Sequence, residues 1–245
     1  MKLKIMLAVV ALLASITNVS YAARGTDGNV SIIYWQAPSI LNPYLSSGTK
    51  DIESASLVIE PLGRYTETGA LVPFLAKEIP TVANGGVSPD LTSITWTLQE
   101  GLLWSDGTPV TSADVKFSAD YCMHPEGGCA QLAKFDGIKS ISIPDDLTIV
   151  VTFEGPMPNP YGPFMGGQTP IIQKAQFENC LGPKAQQCTE QNFNPIGTGP
   201  FVVTEFRPND VIQYKANENY RDPNKPAFST LTFKGGGDAT AAGRS

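Results

Sequence analysis

Histidine appears once in these 245 residues, as His124, and cysteine only four times. One imidazole leaves nucleophilic catalysis short of its commonest base, because Ser-His-Asp and Cys-His sets need that base beside the nucleophile. There is no G-x-S-x-G stretch and no C-x-x-C. Tetrahedral zinc sites favour much tighter ligand pairs than these cysteines offer. Gly197-Thr198-Gly199 and Gly235-Gly236-Gly237 lack the spacing and the lysine of a phosphate-binding loop, so both read as permissive backbone. Asp145-Asp146 offers two carboxylates, but it follows Pro144 in a turn cluster, where Asp bonds its own backbone. The residues therefore point away from an enzyme: no catalytic residue, no cofactor and no metal ligand can be assigned.

Basic runs are missing as well. Lys and Arg number 17 against 23 Asp and Glu, for a net charge of −6. Phosphate contacts need clustered cations, which argues against nucleic acid and anionic membranes as partners. The negative charge reads as solubility. At 42 % hydrophobic residues, the chain has enough apolar content for a packed core.

A membrane span is also lacking, since it needs roughly 20 apolar residues. The N-terminal run from Ile5 to Ala14 is too short. Lys2 and Lys4 precede it and Ser20-Tyr21-Ala22 follow it, as in a cleavable secretory signal cut after Ala22. No cysteine lies at the cleavage point to carry a lipid. Residues 1–22 are thus expected to be removed, leaving an exported, soluble protein. Export permits disulfides. The spacing of Cys122, Cys129, Cys180 and Cys188 suggests two local pairs, each closing a small loop. Four cysteines allow three pairings, and sequence alone does not choose among them.

What is present reads as alternating strands and short helices. Val30 to Trp35 is expected to be a largely buried strand, and Ser54 to Ile59 a helix. Ile94, Trp96 and Leu98 alternate with Thr95 and Thr97 as in a half-buried strand. Thr111 with Asp114 three residues on forms a capping-box start for a helix from Ser112 to about Cys122. Ile141 to Phe153 predicts a hairpin around Pro144-Asp145-Asp146, and Gln173 to Cys180 a short helix. The Pro- and Gly-rich stretch from Met157 to Pro170 is a connection. Phe201 to Phe206 and Val211 to Lys215 flank a second turn, and Thr230 to Phe233 is a further strand. Asp238 is placed to cap a helix beginning at Ala239-Thr240-Ala241-Ala242.

Three stretches carry a resemblance. The first runs Leu98-Gln99-Glu100-Gly101-Leu102-Leu103-Trp104-Ser105-Asp106-Gly107-Thr108-Pro109 and on through Val110 to Ser118. The second is Asn194-Pro195-Ile196-Gly197-Thr198-Gly199-Pro200-Phe201, continued by Ile212, Tyr214 and Asn217 to Arg221. The third joins Val58-Ile59-Glu60-Pro61-Leu62 to Val72-Pro73-Phe74-Leu75-Ala76. In their order and spacing these resemble the oligopeptide- and dipeptide-binding proteins of bacterial ABC importers.

The resemblance implies an α/β fold of the two-lobed periplasmic-binding-protein type, with mixed sheets, closing on a ligand. Residues 23–59 and 168–245 would belong to the first lobe, with 60–167 inserted as the second. Members of that family are much longer, so the chain is expected to be an N-terminal fragment lacking the C-terminal lobe. The implied function is capture of a small peptide in the periplasm and delivery to the membrane permease subunits, by a monomer and without chemistry on the ligand. Nickel chelate, oligosaccharide or opine are alternative cargoes, and a secreted hydrolase or a chaperone-like protein are alternative classes. Candidate ligand contacts are Trp35 and Gln36 at the end of the first strand, Asn42, and Gln168 and Thr169 on the crossing segment. For Trp35 core packing is an equal alternative, and for Asn42 a turn cap is preferred.

Overall fold

The computed structural model describes residues 23–236. The predicted signal and the helix expected after Asp238 lie outside the described residues. In chain order the elements are β1 (Asn29–Tyr34), α1 (Thr49–Ala55), β2 (Gly63–Tyr65), β3 (Leu71–Pro73), β4 (Ser93–Thr97) and α2 (Ser112–Met123). They continue with β5 (Ile138–Ser142), β6 (Thr148–Phe153), α3 (Lys174–Phe177), α4 (Thr189–Phe193), β7 (Phe201–Arg207), β8 (Val211–Ala216) and β9 (Thr230–Gly235).

Two sheets and a small ribbon organise the chain. One sheet has the order β1-β9-β8-β7, with β1 parallel to β9 and the other pairs antiparallel. The other has the order β4-β6-β5 and is antiparallel throughout. β2 and β3 form a two-stranded ribbon. The alternation around Trp96 does what its period requires. Ile94 and Trp96 are fully buried, while Ser93, Thr95 and Thr97 are half-buried. α2 begins on the reciprocal Thr111–Asp114 capping box and buries Val115, Ala119 and Cys122. Trp104 packs beneath that helix start, its indole N–H 3.4 Å from the Asp114 Oδ2. Both local disulfides form, Cys122–Cys129 and Cys180–Cys188.

Three expectations are corrected. The first helix is Thr49–Ala55, not Ser54–Ile59. Val58 and Ile59 are buried, but they sit in a turn and in the extended crossing that follows, so their apolarity marks the core rather than a helix face. β1 is not largely buried; its residues alternate between exposed and half-buried. It lies at a sheet edge, with β9 its one strand neighbour among the described residues. The helix expected over Gln173–Cys180 shrinks to Lys174–Phe177. A second turn is cut short where the Cys180–Cys188 disulfide and Gly182-Pro183 redirect the chain.

The two crossings between the sheets run side by side. Gly199 N–H donates to the Val58 carbonyl at 2.7 Å and Phe201 N–H to the Leu57 carbonyl at 3.1 Å. A Cβ on Gly197 would lie 1.8 Å from the Val58 carbonyl oxygen, so only glycine permits this approach. The buried apolar residues form one continuous core. Tyr121 on α2 lies 5.8 Å from the Tyr44 ring and 6.0 Å from Phe177, joining residues from distant parts of the chain.

Candidate functional site

Strand β1 ends in the open. Trp35 is 66 % exposed and Ile33, on the same face, 40 %. Gln36 is exposed beside them. The backbone carrying these side chains is held from several directions. Gly236 N–H donates to the Tyr34 carbonyl at 2.7 Å. Gly235 lets the end of β9 lie against Ala37, whose nitrogen would be 2.5 Å from an added Cβ. Asn209, in the β7–β8 turn, donates its N–H to the Pro38 carbonyl at 2.7 Å.

Asp51 on α1 closes this arrangement. Its carboxylate accepts from the Ser39 N–H at 2.6 Å, the Ile40 N–H at 3.3 Å and the Ser46 hydroxyl at 2.7 Å. Lys50 Nζ lies 2.9 Å away, in an ion pair that is almost entirely buried. Burial alone would push the Asp51 carboxyl up. Lys50, the Ser39 amide and the Ser46 hydroxyl outweigh it and hold the group below the usual carboxylate range. The strand end is thus presented on a rigid support while its side chains face outward.

The crossing segment borders the same helix. A Cβ on Gly167 would sit 2.4 Å from the Ser56 hydroxyl and 3.1 Å from Ile52, so glycine is needed for the segment to lie this close to α1 and the turn after it. Gln168 is half-exposed, and its amide makes no hydrogen bond among the described residues. Thr169 is buried and donates its hydroxyl to the Met165 carbonyl at 3.1 Å. Asn42 is buried too. Its oxygen caps the turn at Tyr44, and its nitrogen donates to Tyr121 and Asn192 at 3.1 and 2.8 Å. Trp35, Gln36 and Gln168 therefore offer surface around α1, whereas Asn42 and Thr169 spend their polar groups inside the protein.

A second arrangement went unassigned in the sequence. Glu60, 1 % exposed, receives Arg221 in a bidentate pair at 2.5 and 3.1 Å and the Thr198 hydroxyl at 3.1 Å. Burial pushes the Glu60 carboxyl up against the pull of Arg221 and Thr198. The pair ties the first crossing to the second and to the loop after β8. The available signal was a carboxylate inside the apolar run Val58-Ile59-Glu60-Pro61-Leu62, since a buried charge requires a partner.

Chemically, the β1 end can stack, exclude water and exchange amide hydrogen bonds. Among the described residues no group of three or more His, Cys, Asp or Glu is placed to hold a metal ion. No helix among them is long and apolar enough to cross a membrane.

Comparison with known proteins places this geometry. Residues 70–245 match the profile of the bacterial extracellular solute-binding proteins, family 5. Protein XP55 of Streptomyces lividans is 30 % identical over 212 residues, covering 85 % of this chain and 36 % of that protein. The periplasmic murein peptide-binding protein MppA of Escherichia coli is 27 % identical over 247 residues, covering 91 % and 44 %. The structure of the oligopeptide-binding protein AppA from Bacillus subtilis, in complex with a nonapeptide, superposes with a TM-score of 0.77 at 21 % identity. That superposition covers 90 % of this chain and 42 % of AppA. The chain spans less than half the length of these relatives.

Proposed function

The chain belongs to the family 5 bacterial extracellular solute-binding proteins, and from that premise we propose that it forms part of a receptor that captures peptides for an ABC-type importer. The observation that carries this reading is the open end of β1, where Trp35 and Gln36 stand on a support fixed by Asp51. A peptide laid along this edge gains backbone hydrogen bonds as an added strand does, while Trp35 covers one of its side chains. Residues 23–59 and 168–245 act as one lobe with 60–167 inserted in it, and closure of the receptor on its ligand creates the form that permease subunits recognise. The ligand leaves unchanged, and ATP is consumed by other subunits. The segment 1–22 directs export, so capture takes place outside the inner membrane.

The test is retention. The protein as the cell makes it is incubated with a mixed di- to pentapeptide library, washed, and the bound fraction identified by mass spectrometry. About one peptide per protein, with loss in Trp35→Ala and Gln36→Ala, is expected. A retained nickel chelate, oligosaccharide or opine in place of peptide overturns the cargo and keeps the receptor. Retention of nothing from any of these pools overturns the receptor reading.

A further inference from the structure

A cavity of about 470 Å³ opens beside the crossing at Ser56-Leu57, with no residue of the β1 end in its lining. Its wall joins Ser56 and Leu57 to Tyr220 and Arg221, with Arg64 from β2 and Phe74 just after β3. Three cations, Arg64, Arg221 and Lys225, face it against two carboxylates, Glu60 and Asp222. The local balance is therefore positive in a chain whose net charge is −6.

The charges differ in how far they are satisfied. Arg221 is spent on Glu60 through both terminal nitrogens. Lys225 lies 3.6 Å from Asp222 on the exposed rim. Arg64 attracts Glu60 at longer range, but it has no salt bridge and donates no hydrogen bond among the described residues. Its guanidinium lies over the Phe74 ring, 4.2 Å from the centroid. Stacking of this kind fixes the guanidinium while leaving its in-plane N–H groups free, the arrangement that receives a planar carboxylate in two parallel hydrogen bonds.

We propose that this cavity is an anion site, with Arg64 receiving a carboxylate and Leu57 and Tyr220 covering the body of the ligand. The site uses both the ribbon and the loop after β8, so its occupant bridges two parts of the chain that Glu60 and Arg221 already join. Its lining includes neither Trp35 nor Gln36, and it does not depend on what the receptor carries.

Calorimetric titration of the intact protein with succinate, succinamide and inorganic phosphate tests this. Saturable succinate binding is expected, weakening with added salt, with succinamide inert. Arg64→Gln should lose about ten-fold or more in affinity, and Arg64→Lys should retain part of it. Phosphate binding tighter than succinate would overturn the carboxylate preference. Equal succinate binding in Arg64→Gln, or no saturable binding, overturns the site. Peptide retention by Arg64→Gln separates the two readings: loss of succinate alone supports an independent site, and loss of both overturns that independence.

Discussion

The two main sheets each start with a strand at an edge, and the edges are finished differently. Outside β4 the chain folds back to cover it: Thr95 N–H donates to Gly86, Ser88 N–H to Ser93, and Lys77 N–H to Thr97, at 2.7 to 3.0 Å. Its central Trp96 is fully buried. No strand among the described residues covers the outer side of β1, and Trp35 at its end is 66 % exposed. Exposed edges invite pairing with another chain, and natural proteins usually blunt them. One sheet has its first edge covered by its own chain. The other keeps backbone and aromatic surface free at the place where an added strand would sit.

The largest expected effect tests the closed half. Trp96→Ala should destabilise the protein by about 3–5 kcal/mol, the usual cost of emptying a large buried aromatic site. The urea unfolding midpoint measures it. Trp96 is a demanding case because its buried indole N–H has no partner among the described residues. Trp96→Phe removes that unpaired donor and should cost clearly less than Trp96→Ala. A Trp96→Ala protein that melts like wild type would show that this sheet is no better closed than the other.

This contrast was only half visible beforehand. Ile94-Thr95-Trp96-Thr97 states its own burial, because period-two alternation assigns each residue to a face. Thr111 and Asp114 likewise announced the start of α2 through a local hydrogen-bond pattern. The run Val30 to Trp35 carries no such internal rule. Its exposure depends on what lies beside β1, which is decided by residues some 200 positions away. Asp51 and Glu60 were missed because Ser39, Ser46, Thr198 and Arg221, from 5 to 161 positions away, face them only once the chain has folded. The Trp35–Gln36 pair followed from family resemblance, and its exposure is a property of the tertiary structure.

The link between the halves gives the next effect. Glu60→Gln leaves Arg221 without its charge partner and should cost about 3 kcal/mol, as removing one member of a buried pair does. The urea transition carries a further reading. Two separated transitions would show that the pair couples the sheets, whereas one sharp transition at a lower midpoint would place the coupling in the continuous core.

Acid should affect the open half locally. Asp51 has a carboxyl held below its ordinary range, so its contribution is fully present above the unfolded-state value. It is lost as pH falls through the folded-state value. The hydrogen-exchange protection factors of Ser39 and Ile40, the backbone donors to this carboxylate, should therefore fall on acidification before those of the β4 amides do. In Asp51→Asn the acid-dependent step should vanish. Simultaneous loss of protection in both sheets would mean that acid acts on the whole fold and that Asp51 is no special support.

The smallest stability effect is the most informative about function. Trp35→Ala should change stability by no more than about 0.5 kcal/mol, since truncating an exposed side chain away from packed contacts costs little. The Tyr34 ring, 5.9 Å from Trp35, gains exposure, but it remains against Phe233 at 5.3 Å. Peptide retention should fall sharply in the same variant. That combination separates a surface kept open for a ligand from a core residue that happens to lie at an edge. A melt lowered as far as that of Trp96→Ala would return Trp35 to the packing role, and the two edges would then differ in coverage without differing in use.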